Sequence, residues 1–185
     1  KNDKFYALED GSYTNQILNI NKSYNFVNPK AGISYHNGGH KAYLSMAYAS
    51  REPERNNFTD NGKYPAPNAE HLLDIELGYQ YASNNWHIGT NLYYMGYKDQ
   101  FVQTGEQSDI GENLTTNVKD SYRMGAELTA GWNATSWFTL EGNAALSINK
   151  IKDFDEFVDN WDNSKMPLKV HYDNSTLAFS PSAIL

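Results

Sequence analysis

The run Tyr122-Arg123-Met124-Gly125-Ala126-Glu127-Leu128-Thr129-Ala130-Gly131-Trp132 decides the fold. Tyr122, Met124, Ala126, Leu128, Ala130 and Trp132 alternate with Arg123, Gly125, Glu127, Thr129 and Gly131. Successive side chains of a strand point to opposite faces, so the run is a strand with one apolar and one polar face. The same period recurs on either side. Ile75, Leu77, Tyr79 and Tyr81 alternate with Asp74, Glu76, Gly78 and Gln80. Trp86, Ile88, Leu92 and Tyr94 oppose His87, Gly89 and Asn91, and Phe138, Leu140, Ala144, Leu146 and Ile148 oppose Thr139, Glu141, Asn143 and Ser147.

Working outward, the pattern predicts strands over 24–36, 40–52, 70–83, 86–104, 117–133, 137–152 and 171–185. Several are far longer than the usual strand of about 5–6 residues. A tilted strand that crosses a bilayer needs about 9–11. Asn37-Gly38-Gly39, Asn84-Asn85 and Asn133-Ala134-Thr135-Ser136 read as short turns, since Gly and Asn accept positive φ. Between them lie long polar stretches at 53–69, 105–116 and 153–170. Short turns alternating with long loops are the habit of outer-membrane barrels, with the turns on the periplasmic side. The expected fold is therefore all-β, an antiparallel up-and-down meander forming part of a transmembrane β-barrel. A soluble, secreted β-sandwich that binds carbohydrate is the alternative, because one face of each of its sheets would also be apolar.

Composition agrees with the barrel. Mean hydropathy is −0.71, with no run of about 20 apolar residues for a membrane helix; a barrel needs only alternate residues apolar. Aromatics are 14% of the 185 residues, with 14 tyrosines. Tyr93, Tyr94, Tyr97, Trp132, Trp137 and Phe138 lie near strand ends, where interfacial girdles are expected. The net charge of −7, with no basic stripe, argues against nucleic acid. The absence of cysteine removes disulfides and thiol chemistry. No nucleophile elbow or catalytic constellation stands out, so no enzyme and no cofactor is expected.

Several stretches resemble one family. Asn28-Pro29-Lys30-Ala31-Gly32-Ile33-Ser34-Tyr35 is similar to a barrel strand of TonB-dependent receptors. Arg51-Glu52-Pro53-Glu54-Arg55-Asn56-Asn57-Phe58 resembles the signature where a strand leaves that barrel for an outside loop. Glu70 to Tyr79 and Tyr93 to Gln100 resemble the two strands that follow. The resemblance covers about residues 24–150. It implies a barrel of roughly 22 strands in the outer membrane, surrounded by lipid and closed by an N-terminal plug. It further implies import of a large nutrient (siderophore, cobalamin, haem or oligosaccharide) with energy supplied through TonB. Seven strands are far short of that barrel, so the chain is expected to be one sector of it without the plug.

Arg51, Glu52, Glu54 and Arg55 sit where the second strand meets its loop. They are either a charged network of the rim or contacts to the ligand or plug, for which a planar guanidinium fork suits carboxylates. The acidic run Asp153 to Asp162 lacks the spacing of a calcium loop and reads as a solvated loop. His36 and His40 flank a turn with no third metal ligand nearby, and read as turn residues.

Overall fold

The computed structural model describes residues 2–7, 13–18, 20–59, 66–107, 111–158, 168–177 and 180–185. Its strands are β1 (Asn2–Ala7), β2 (Tyr13–Leu18), β3 (Lys30–Asn37), β4 (His40–Arg51), β5 (Glu70–Ala82), β6 (Trp86–Gln107), β7 (Asn113–Asn133), β8 (Thr139–Val158), β9 (Leu168–Thr176) and β10 (Ala183–Ile184). One short helix, α1 (Arg55–Thr59), follows β4. From β3 to β8 each strand pairs antiparallel with the next, and β9 and β10 both pair with the far side of β8. This is the meander that the alternation predicts.

The register sorts the side chains. Ile33, Leu44, Leu77, Leu92, Ala126 and Leu146 stand opposite one another in one line across β3 to β8. Tyr79, Thr90, Leu128 and Ala144 form the next line on that face, and Trp86, Trp132 and Leu140 another. Glu76, Tyr93, Gly125 and Ser147 form a line of the other face, as do Gly78, Asn91, Glu127 and Ala145. Every residue assigned to a face by alternation falls on that face. The apolar face is uncovered: Leu77, Leu92, Leu128 and Leu146 are 48–58% exposed. A sandwich would bury those four against a second sheet.

The apolar band has edges. At the short-turn end the rings of Trp86 and Trp132 stack at 5.3 Å. Toward the other end Tyr94 and Tyr122 stack at 6.4 Å. Beyond them the line becomes charged, with Lys98 opposite Asp120 and Asp120 opposite Lys152. From Trp86 to Gly96 on β6 the chain advances ten residues. At about 3.3 Å per residue and a tilt of about 40°, that spans roughly 25 Å, the height of a barrel's lipid-facing band.

Strict alternation stops just above this charged line. Asp99 on β6 and Asp153 on β8 both have left-handed backbone angles, φ 52° and 55°, which aspartate tolerates better than most residues. Across that level Val118 and Ser121 are both buried although three residues apart, where alternation would put them on opposite faces. Gln100 turns the same way and accepts a hydrogen bond from Ser121 Oγ. Phe154 packs with Ile151, also three residues away, against a small core of Val102, Val118 and Ile151. The outer parts of β6 to β9 thus carry a core of their own.

Element boundaries differ from the sequence reading in four places. Residues 24–29 are not strand: Asn28 Oδ1 accepts a hydrogen bond from Ser50 N, Pro29 O accepts one from Tyr48 N, and Pro29 has no N–H to offer a ladder. Residues 105–107, 113–116, 153–158 and 168–170 of the expected loops are strand, because hairpin pairing continues to Gln107 and Val158. The expected strand 171–185 is two pieces, β9 and β10, whose pairing to β8 differs by three residues in register. The β1–β2 hairpin was not expected at all; the Asp10-Gly11 pair in the sequence between its strands is its turn signal. The turns themselves are as expected, with Asn37 paired to His40 across Gly38, whose φ is 57°.

Leu128→Arg in the full-length protein is expected to cost about 2–4 kcal/mol, because it places charge mid-band on the lipid side. Glu127→Arg, one residue away on the polar face, should leave stability nearly unchanged. Denaturant unfolding of both variants refolded in lipid vesicles checks this, and equal losses would mean that the faces are wrongly assigned.

Candidate functional site

Two regions gather hydrogen-bonding groups around clefts, the polar face and the outer end of β4. On the polar face Tyr43 lies across Gly78, where any side chain would collide with its ring. Tyr43 Oη donates to Asn91 Oδ1 at 3.1 Å, and Asn91 Nδ2 reaches Glu127 Oε2 at 3.5 Å. A polar string therefore crosses β4, β6 and β7. Beside it Glu76, Asn91, Tyr93, Arg123, Glu127 and Asn149 line an open cleft of about 390 Å³. The Arg123 guanidinium lies 5.8 Å over the Tyr97 ring. Its Nε, and Oδ1 of Asp74 on the same face, are buried with no hydrogen-bond partner. Such groups are few in a folded protein, and these two mark where the polar face is not satisfied by the strand ladder and its own side chains.

The outer end of β4 is built around Glu70. Arg51 ends β4 directly opposite Glu70, the first residue of β5. Arg51 Nη2 lies 3.2 Å from Glu70 Oε2, and the same oxygen accepts a 2.8 Å hydrogen bond from Phe101 N. The guanidinium also sits 5.5 Å over the Phe101 ring. Glu54 opens the helix as its cap: its backbone N donates to Asn57 Oδ1 at 2.7 Å, and its carbonyl accepts from Asn57 N. Asn57 Nδ2 in turn donates to Thr115 Oγ1 at 2.6 Å, which pins α1 to β7. Arg51, Glu52, Glu54, Asn56, Phe101 and Thr115 line a second cleft of about 250 Å³. The structure thus brings together three of the four charged residues singled out by sequence. Arg55 opens α1 and is not among those lining the cleft.

Other expectations are corrected. Tyr93 and Tyr97 are not girdle residues: the register puts both on the polar face, beside Glu76 and Ser121. His36 pairs with Lys41 and His40 with Tyr81, which places the two histidines on opposite faces. His40 Nδ1 is instead 2.7 Å from Tyr79 Oη. The expected acidic loop is strand from Asp153 to Val158, and its remainder, 159–162, lies outside the described residues. Sequence reasoning missed Arg123, whose signal is a lone cation mid-strand on an otherwise small and polar face.

One curved-meander sheet with an uncovered apolar band and a polar, charged reverse defines a sector of β-barrel wall. The chain belongs to the TonB dependent receptor-like, beta-barrel family, whose description matches residues 4–182. Solved structures similar to it include two transporters. One is "Copper transporter OprC", with a TM-score of 0.54 and 18% identity over 66% of this chain and 20% of that one. The other is the FrpB iron transporter from Neisseria meningitidis (F3-3 variant), with a TM-score of 0.54 and 17% identity over 80% of this chain and 22% of that one. The chain thus spans about a fifth of the length of these neighbours. No curated protein matches it.

Glu70→Ala is expected to destabilise by about 1–3 kcal/mol, because it strips the partner from the part-buried Phe101 N–H. Arg51→Ala should cost at most about 1 kcal/mol, since Arg51 is the exposed member of the pair. Chemical unfolding of the two variants in vesicles compares them, and a larger loss for Arg51→Ala would contradict this order.

Proposed function

We propose that the chain is a wall sector of an outer-membrane receptor that imports a large nutrient with energy delivered through TonB. The observation that carries this reading is the pairing of a roughly 25 Å apolar band with a polar reverse face on one sheet. Hydrocarbon covers the apolar face, and the polar face lines the lumen. The lumen takes a plug from elsewhere in the full protein; Arg123 and Asp74 are the wall groups best placed to meet it. Arg51, Glu52, Glu54 and Arg55 stand at the outer end, where they contact the ligand or the plug. The cargo is a siderophore, cobalamin, haem or an oligosaccharide, since one barrel serves all of these and the fold does not fix the cargo.

Three measurements test the reading. Spin labels at Leu92→Cys and Asn91→Cys in the full-length protein in bilayers, in a chain region with no native cysteine, should differ. The first should be reached by oxygen dissolved in lipid and the second by a water-soluble relaxant. Deletion of the gene should then abolish energy-dependent uptake of one ligand from a panel of these classes, and replacement of Arg51, Glu52, Glu54 and Arg55 by alanine should weaken its binding. Water access at Leu92, or undiminished uptake of every ligand in the deletion strain, would overturn the reading.

A further inference from the structure

His171 on β9 stands directly opposite Asp155 on β8, at the base of the ribbon whose connecting residues are 159–167. Its Nδ1 is 2.8 Å from Asp155 Oδ1. Its Nε2 is 3.2 Å from Asp173 Oδ1 and 3.6 Å from Asp153 Oδ1. Both ring nitrogens therefore face carboxylate oxygens. A neutral imidazole has one N–H and one lone pair. Whichever tautomer it adopted, one nitrogen would turn its lone pair toward a carboxylate. Only imidazolium, with two N–H donors, satisfies the arrangement.

We propose that His171 is a proton-operated clamp that holds the outer β8–β9 ribbon together and releases it when the proton leaves. Among the described side chains, the charges facing it are Asp153 and Asp155 from β8 and Asp173 from its own strand. The described lysines of β8 are engaged elsewhere: Lys150 Nζ donates to Thr176 Oγ1, and Lys152 Nζ lies over the Tyr122 ring of β7. Without the proton, the ring keeps a single N–H and cannot donate to Asp155 and Asp173 at once. Asp153 has the left-handed backbone that begins this segment, so the clamp sits where the membrane-level sheet gives way to the outer ribbon. The hydrogen bond to Asp155, joined by that to Asp173, raises the His171 pKa above its ordinary 6.5, against a smaller opposing effect of desolvation. A raised pKa means that the clamp is fully formed below about pH 6.5 and is lost as pH climbs through the raised value. The ribbon is then tight in mildly acidic surroundings and loosens above neutrality. The inference does not depend on the cargo or on transport.

The experiment is hydrogen exchange at residues 170–173 of the full-length protein in nanodiscs from pH 6 to 9, corrected for intrinsic exchange. Protection in the native sequence should fall several-fold with a midpoint above 6.5. H171R, a permanent cation, should stay protected throughout, and H171N should be equally open at every pH. A histidine NMR titration of the same sample should place the His171 midpoint above 6.5. A flat native profile, a native profile that coincides with H171N at pH 6, or an NMR midpoint below 6.5 would overturn the clamp. So would full protection restored at pH 9 by calcium, because the cluster would then be a cation site.

Discussion

Inside hydrocarbon no water is available to a backbone N–H or C=O, so each must find its partner on a neighbouring strand. In the membrane setting proposed for this chain, the rest of the structure depends on that constraint. It requires the ladder from β3 to β8 to run unbroken through the apolar band, and the pairs from Ile33 to Leu146 follow one another without a slip there. A shift of one residue would exchange the faces of a whole strand. It would carry Glu127 to the lipid and Leu128 to the water. It also gives the two outer edges meaning. Among the described residues β3 offers a free edge on one side and β9 with β10 on the other, and further strands must complete both in a closed barrel.

The constraint relaxes at the ends of the band, and the chemistry gathers there. At the short-turn end Trp86 and Trp132 hold the interface while His40 reaches Tyr79. At the outer end Glu70 accepts from both a guanidinium and a backbone N–H. α1 hangs from β7 through Asn57, and the sheet begins to bury side chains on its own account around Val118. The polar face between these ends keeps its groups in loose strings such as Tyr43, Asn91 and Glu127, a surface suited to water or to another polar body.

Much of this was legible from the chain because period two is a strong signal where one face is lipid and the other polar. Leu77, Leu92, Leu128 and Leu146 were placed correctly by alternation alone, and the Gly38 turn by its chemistry. What was not legible lies where alternation ends. Above Asp99 and Asp153 a polar sequence still pairs, because hairpin ladders in water need no apolar stripe to continue. Residues 105–107 and 153–158 therefore read as loop while forming strand. Tyr93 and Tyr97 were misplaced because aromatic content was read without its parity. The clustering of Arg51, Glu52 and Glu54 followed from their adjacency, but the role of Glu70 did not, since its partners lie 19 and 31 residues away.

The break in alternation at Asp99 and Asp153 works as an insulating joint. Below it, a single inserted residue would invert a strand. Above it, the ribbon has its own small core and no lipid to obey, so residues gained or lost there are absorbed before they reach the bilayer. The outer ribbons can therefore change in length and sequence while the wall beneath them keeps its register.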